Sequence, residues 1–259
     1  MTMTAGQQIR RPGSGAIELW HRPPIDLQKL TEWTPLDTRI DRKYVASGER
    51  IEQVLASVAD RFVVLEIDDA RTFEYRSLYF DTPDFASYRA AATQRRSRFK
   101  VRVRCYVGTN QTALEVKTRS GRGETVKVRT DHTSDVAVLD HAACRFVDDS
   151  IGMPGLGAVL VPTMWTRYRR STFVDTDDGS KITIDRALSA STDGCAWRSL
   201  TDHVVVETKA TRNATAMDRE LWRAHTRPVA ISKYAAAMAM HHPDLPANRW
   251  SRLLRNQFH

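Results

Sequence analysis

The chain has 259 residues, enough to bury a substantial core as one large domain or two small ones. A hydrophobic content of 41% excludes a disordered polyelectrolyte, and no apolar run approaches the length of a bilayer span. Lys and Arg number 39 against 31 acids, a formal charge of +8, which favours a polyanionic partner. In chain order, residues 1–35 are rich in Pro and Gly (Pro12, Gly13, Gly15, Pro23, Pro24) and read as a flexible N-terminal tail with at most a short ordered arm. A strand is expected over Leu36–Ala46, then a helix capped by Ser47 with apolar residues at Ile51, Val54, Leu55 and Val58. Another strand over Tyr75–Asp81 runs into Thr82-Pro83, which opens a short helix over Phe85–Ala92.

The stretch Arg98–Tyr106 alternates strictly, with Arg98, Lys100, Arg102 and Arg104 on one side and Phe99, Val101, Val103 and Cys105 on the other. This is the pattern of a strand with one polar and one apolar face; cations two residues apart stand about 7 Å from one another. A turn at Gly108–Gln111 leads to a strand over Thr112–Thr118, and a second turn at Ser120–Gly123 to one over Glu124–Arg129. Helical spacing returns over Ser134–Asp149 through Val138, Leu139, Ala142 and Phe146. Strands are expected over Met164–Val174, Lys181–Asp185 and His203–Ala210, then helices over Ala214–His225 and from Ser232. Residues 243–259 close the chain as a basic C-terminal tail. Short strands joined by tight turns imply antiparallel pairing. The expected fold is α+β: one domain over residues 36–242, an eight-stranded antiparallel β-barrel with helices packed outside.

An acid followed two residues later by lysine recurs on three of these strands: Asp41-x-Lys43, Glu115-x-Lys117 and Glu207-x-Lys209. In each, acid and lysine share one strand face, and in the last two the residues between and beside them are apolar or β-branched: Leu114 and Val116, then Val206 and Thr208. An ordinary barrel turns its charged face to solvent, and a charged row such as Arg98–Arg104 also suits a blunted sheet edge. The bias toward cations, repeated on strands separated by long insertions and joined by Arg170 and Lys233, favours the reverse arrangement. The charged face then lines a tunnel, which suits an extended polyphosphate or a nucleoside triphosphate.

Taken in order, Asp41-Arg-Lys-Tyr44, Ser77-Leu-Tyr-Phe-Asp-Thr82, Arg98–Tyr106, Leu114-Glu-Val-Lys-Thr118, Gly121–Lys127, Tyr168-Arg-Arg170, Ile182-Thr-Ile-Asp185, Val206-Glu-Thr-Lys209 and Ser232-Lys-Tyr234 resemble the VTC domain. That is the polyphosphate polymerase domain of the triphosphate tunnel metalloenzyme superfamily, also called CYTH-like. The resemblance implies that Lys43, Arg102, Arg104, Lys117, Arg170 and Lys233 are catalytic, lining the tunnel and binding phosphates. It implies that Tyr168 stands beside them, that Arg98, Lys100, Lys127 and Lys209 add to substrate binding, and that Glu207 holds Mn²⁺ or Mg²⁺. Two positions depart from the family pattern: Arg39 stands where a first carboxylate is often found, and Ala230 where the fungal polymerases carry a further lysine.

The activity the resemblance implies is transfer of the γ-phosphoryl group of ATP to a growing polyphosphate chain, with ATP and polyphosphate as partners. Hydrolysis of tripolyphosphate or a nucleoside triphosphate is the alternative; it needs a carboxylate to activate water, for which Asp41, Glu115 and Asp185 are the candidates. A cyclase of the same superfamily is disfavoured by Arg39 in the same way. A non-catalytic polyphosphate-binding module would retain the same cations. No nucleic acid is expected, because stacking aromatics between basic residues on an open face are lacking. Cys105, Cys144 and Cys195 have neither zinc nor redox spacing, and the N-terminus has no signal-peptide core, so a cytoplasmic location is expected. Fungal relatives are attached to membrane segments that export polymer; here that step would call for a membrane protein partner.

Overall fold

The computed structural model describes residues 21–34, 40–119, 125–211 and 213–258. Its strands are β1 (Pro24–Ile25), β2 (Ile40–Ala46), β3 (Phe62–Leu65), β4 (Phe73–Asp81), β5 (Arg98–Tyr106), β6 (Gln111–Arg119), β7 (Thr125–Asp131), β8 (Val161–Asp175), β9 (Lys181–Ser191), β10 (Arg198–Ser199) and β11 (Val204–Ala210). The helices are α1 (Leu27–Trp33), α2 (Gly48–Ala56), α3 (Ala86–Ala92), α4 (His141–Ile151), α5 (Leu156–Val159), α6 (Ala216–Arg223), α7 (Lys233–His241) and α8 (Ser251–Gln257). Eight strands form one path in the order β2-β11-β9-β8-β4-β5-β6-β7, with every pair antiparallel. The short β3 joins the far end of β8 and pairs in parallel with β1.

Alternation sorts this sheet into two unlike faces. On the convex side Tyr44, Val206, Ile184 and Phe173 pack under α2 and α6, while Leu78, Val101, Val103, Leu114 and Val116 pack under α4 and α5. Helix α2 starts where Ser47 accepts a hydrogen bond from the Arg50 amide, and α6 where Thr215 and Asp218 form a capping box. With the apolar side chains spent on these helices, the charged ones are left on the concave side. A bulge keeps the pattern consistent along β9. Ala187, at φ 51°, inserts an extra residue opposite β8, so that Asp185 and Leu188 both face inward. On the concave side α7 packs Tyr234, Ala235 and Met238 with Tyr79, Met164, Leu188 and Val205.

The architecture matches the expectation in class and in the antiparallel pairing of eight main strands, to which β1, β3 and β10 add, but not in closure. The sheet curls into a half-barrel, and among the described residues no pairing joins β2 to β7. All seven residues of β7 are exposed, so no apolar contact draws that edge to β2, and the inner side of each edge carries lysine. The terminal segments hold more structure than the sequence showed. In the expected N-terminal tail, Ile25 and Leu30 are buried against Leu65 and Val174. In the basic C-terminal stretch, Trp250, Leu254 and Phe258 are buried in the same core as α7. Strand β3 was not expected, β8 and β9 run longer than read, and the α4 helix starts at its Asp140 cap rather than at Ser134. Leu36–Arg39 and the turn at Ser120–Gly123 lie outside the described residues.

Asp81 ties three of these elements together. One carboxylate oxygen accepts from the Thr82 and Ser87 amides and the other from the Tyr88 amide and the Tyr234 hydroxyl. It thereby caps α3, whose own N-cap residue Phe85 makes no side-chain cap, and anchors α7 to β4. Asp81→Ala strands those buried donors and should destabilise the fold by about 3 kcal/mol or more; urea unfolding showing a loss under about 1 kcal/mol would contradict this role.

Candidate functional site

The concave wall is organised around two buried carboxylates. Glu115 on β6 stands directly opposite Arg102 on β5. Arg102 Nε lies 2.7 Å and Nη2 2.5 Å from Glu115 Oε2. Lys127 Nζ, from β7, lies 2.5 Å and Arg104 Nη1 3.7 Å from Oε1. Burial alone would raise the Glu115 pKa, but Arg102, Arg104 and Lys127 hold it well below the usual carboxylate range. Asp185 on β9 plays the same part in the other half. Arg170 grips it from β8 with Nε at 2.6 Å and Nη2 at 2.8 Å, and Lys233, at the start of α7, donates to the same carboxylate. Burial again opposes ionisation, and Arg170 with Lys233 pulls the Asp185 pKa down to about 2.

Tyrosines join the two halves. Arg102 Nη1 donates to the Tyr79 hydroxyl at 3.0 Å and Arg104 Nη2 to the Tyr168 hydroxyl at 3.1 Å. The Tyr168 ring lies 5.2 Å from the Arg170 guanidinium and 4.5 Å from Lys233 Nζ, and Tyr75 stacks on it at 5.5 Å. Burial would raise the Tyr168 pKa, yet Arg104, Arg170 and Lys233 bring it below its ordinary value.

Two further groups complete the wall. Glu207 on β11 has Lys43 Nζ at 3.6 Å and Lys209 Nζ at 3.7 Å, salt-bridge distances beyond hydrogen-bond reach. On the other side Lys100, Lys117 and Lys127 stand in register across β5, β6 and β7. Among the described residues no carboxylate pairs with Lys100 or Lys117. Burial, then the charges of Lys117 and Lys43, pushes the Lys100 ammonium down to about 7. Because Lys43 sits at the opposite edge of the sheet, its influence on Lys100 shows how far the wall curls round. Several buried polar atoms here, Arg104 Nε, Ser77 Oγ, Thr166 Oγ1 and Thr183 Oγ1, have no hydrogen-bond partner among the described residues. Ser77 stands opposite both Arg104 and Thr166, so three of these atoms cluster. A wall of paired and unpaired cations with spare N–H and O–H groups is built to receive anionic oxygens.

A family model described as VTC domain matches residues 38–142 and 156–242. The chain belongs to the VTC domain family. Every site residue expected from the sequence falls within the matched segments. No curated protein matches the chain in sequence. Among solved structures it is similar to the Hippeastrum protein HpAC1, described with a dominant triphosphatase activity, at a TM-score of 0.48 and 16% identity, covering 78% of this chain and 96% of that one. A proposed adenylate cyclase of Bacillus halodurans gives 0.49 and 14%, covering 76% and 94%. The S. pombe RNA triphosphatase Pct1 gives 0.32 and 9%, covering 89% and 90%.

All twelve expected site residues of this VTC domain lie on the concave wall or at its α7 rim. Eleven of them form three groups rather than one, around Glu115, around Asp185, and between Glu207 and Lys100, and Arg98 stands apart at the start of β5. Arg39 lies outside the described residues, and Ala230 is exposed in the segment before α7. Among the described residues no cluster of three or more His, Cys, Asp or Glu side chains could cage a metal. Glu207 is nevertheless a carboxylate whose oxygens make no short bond to their lysines, so the donor set fits a divalent ion held by one protein oxygen, phosphate oxygens and water. Arg119 and Arg129 share the inner face, as their parity with Lys117 and Lys127 marks in the sequence. Ser77, Tyr75 and Tyr79 read in the sequence as strand residues alone, since only the register shows them beside Arg104 and Arg102.

The depressed Lys100 pKa has a consequence for stability. Between about pH 7 and the unfolded lysine value near 10.4 the unfolded chain holds a proton that native Lys100 has lost, so stability contributed by this group rises with pH. Lys100→Met should stabilise the free protein at pH about 7 or below, flatten that rise, and weaken tripolyphosphate binding. Thermal melts across this range with calorimetric titration check it; a variant that is less stable and binds equally well would show Lys100 to be structural.

Proposed function

We propose that this VTC domain is a polyphosphate polymerase that moves the γ-phosphoryl group of ATP to the end of a polyphosphate chain. What carries the reading is the state of its acids. Glu115 and Asp185 each hold two or three cations and are far too acidic to take a proton from water. Burial opposes ionisation of Glu207 too, but Lys209 and Lys43 hold it well below the usual range. Such carboxylates serve as scaffolds for cations rather than as general bases. Transfer between phosphates needs no general base, since attacking and leaving oxygens are both already anionic. It needs charge neutralisation and alignment, which Arg102, Arg104, Arg170 and Lys233 supply from two sides of the wall.

In this scheme the arginines reach incoming phosphate oxygens with bonds they already direct along the wall, so little reorganisation accompanies binding. Tyr168 buttresses Arg104 and Arg170 and keeps both facing inward. Lys43, Lys117 and Lys209 neutralise the flanking phosphates, and Glu207 would hold Mn²⁺ or Mg²⁺ on the triphosphate, where such an ion bridges phosphate oxygens and offsets their charge.

Purified protein given ATP and Mn²⁺ should release ADP together with chain-length phosphate polymer. ADP with free phosphate alone would assign the tunnel to hydrolysis, and tight polyphosphate binding without turnover would leave a binding module. Glu207→Gln should abolish metal-dependent turnover while its circular dichroism stays native. Arg102→Ala should weaken tripolyphosphate binding roughly tenfold or more, as expected for a charge-assisted hydrogen bond; unchanged affinity would remove Arg102 from the site.

A further inference from the structure

We propose that Arg98, Arg119 and Arg249 form an outer anion subsite at one mouth of the tunnel, taking the phosphates of a chain longer than the triphosphate held inside; this rests on reading the concave wall as a phosphate tunnel. Arg98 and Arg119 stand directly opposite each other across β5 and β6, which sets their Cβ atoms about 5 Å apart. Arg249 comes from a separate element, the 3-10 turn Asn248–Trp250. That turn is fixed in place. Trp250 is buried in the core, its Nε1–H donates to the Ala230 carbonyl at 2.8 Å, and Arg249 Nη1 donates to the Ala91 carbonyl at 3.2 Å. Arg249 bonds the last turn of α3 at Ala91 and Arg98 the following connection at Arg95, so both bracket the link from α3 to β5, and after burial the charges of Arg119 and Arg249 lower the Arg98 pKa.

Deeper in the wall, Arg102, Arg104 and Arg170 are each balanced by a carboxylate. At this mouth, among the described residues, no acid forms an ion pair with Arg98, Arg119 or Arg249. Arg98 Nη1 donates instead to the neutral Arg95 carbonyl at 2.7 Å. Arg119 and Arg249 are exposed and Arg98 half-buried, so solvent screens their mutual repulsion, and no acid among the described residues competes there with an incoming anion. The position along the wall identifies that anion. Arg98 lies about 13 Å along β5 from Arg102, with Lys100 midway on the same face. A triphosphate seated at Arg102 and Arg104 stops short of this mouth, whereas a longer chain passing Lys100 reaches it. Arg249 also lies beyond the segment matched by the family model, so its contribution is not part of the matched domain.

The test compares the affinities of tripolyphosphate and of a long-chain polyphosphate for the wild-type protein and for the Arg119→Gln/Arg249→Gln variant. Long-chain affinity should fall at least tenfold more than tripolyphosphate affinity, and Arg249→Lys should recover most of its share. Equal losses for the two ligands, or no loss for the long chain in a variant with a native melting temperature, would overturn the subsite. Loss of binding to phosphatidylserine vesicles with the preference for long polymer intact would also overturn it, assigning the arginines to a membrane surface. Failure of the wild-type protein to bind tripolyphosphate would instead defeat the tunnel reading itself.

Discussion

Cations turned inward on a curled sheet repel one another, and this wall is stable because two buried carboxylates hold them. Glu115 gathers Arg102, Arg104 and Lys127; Asp185 gathers Arg170 and Lys233. A buried ion pair seldom adds net stability, since removing both charges from water costs about as much as their attraction returns. What these pairs provide is direction. Each guanidinium is held at a fixed place on the wall, with Arg104 Nε still carrying an N–H that no described residue accepts. The apolar side chains make this possible by going the other way, under α2, α4, α5 and α6 on the convex face.

The same bonds support the chemistry proposed for the wall. A carboxylate surrounded by arginine and lysine loses its basicity, so Glu115 and Asp185 are poorly suited to activate water. Phosphoryl transfer to another phosphate avoids that need. Glu207 differs from the two buried acids because its lysines stand too far off to hydrogen-bond, and it is the carboxylate proposed here for a divalent ion. The half-barrel also divides its charge unevenly. Cations paired with carboxylates occupy the centre, and Lys100, then Arg98 with Arg119, which form no ion pair among the described residues, continue toward one mouth.

Much of this was legible in the chain. Strict alternation over Arg98–Tyr106 named the residues sharing a face, and the acid-x-lysine pairs showed that the charged faces belong together; the register of β5, β6 and β11 with their neighbours sets those residues side by side. What stayed hidden depends on contacts between distant segments. Asp81 lies on a recognisable motif, yet its role comes from meeting Tyr234, 153 residues away. The open edge at β7 follows from what does not pack on it, which alternation cannot report. Arg249 sits in a stretch that reads as a basic tail, and only the burial of Trp250, Leu254 and Phe258 brings it to Arg98. The bulge at Ala187 has no sequence signal, since a positive φ is more commonly met by Gly or Asn.

The most direct test of the central claim, that the concave wall receives the triphosphate, is a crystal structure with a non-hydrolysable ATP analogue and Mn²⁺. The terminal phosphates should lie within hydrogen-bond reach of Arg102, Arg104, Arg170 and Lys233, with Mn²⁺ on Glu207. A nucleotide bound on the convex face, with the Glu115 and Asp185 pairs undisturbed and the wall free of phosphate, would contradict it.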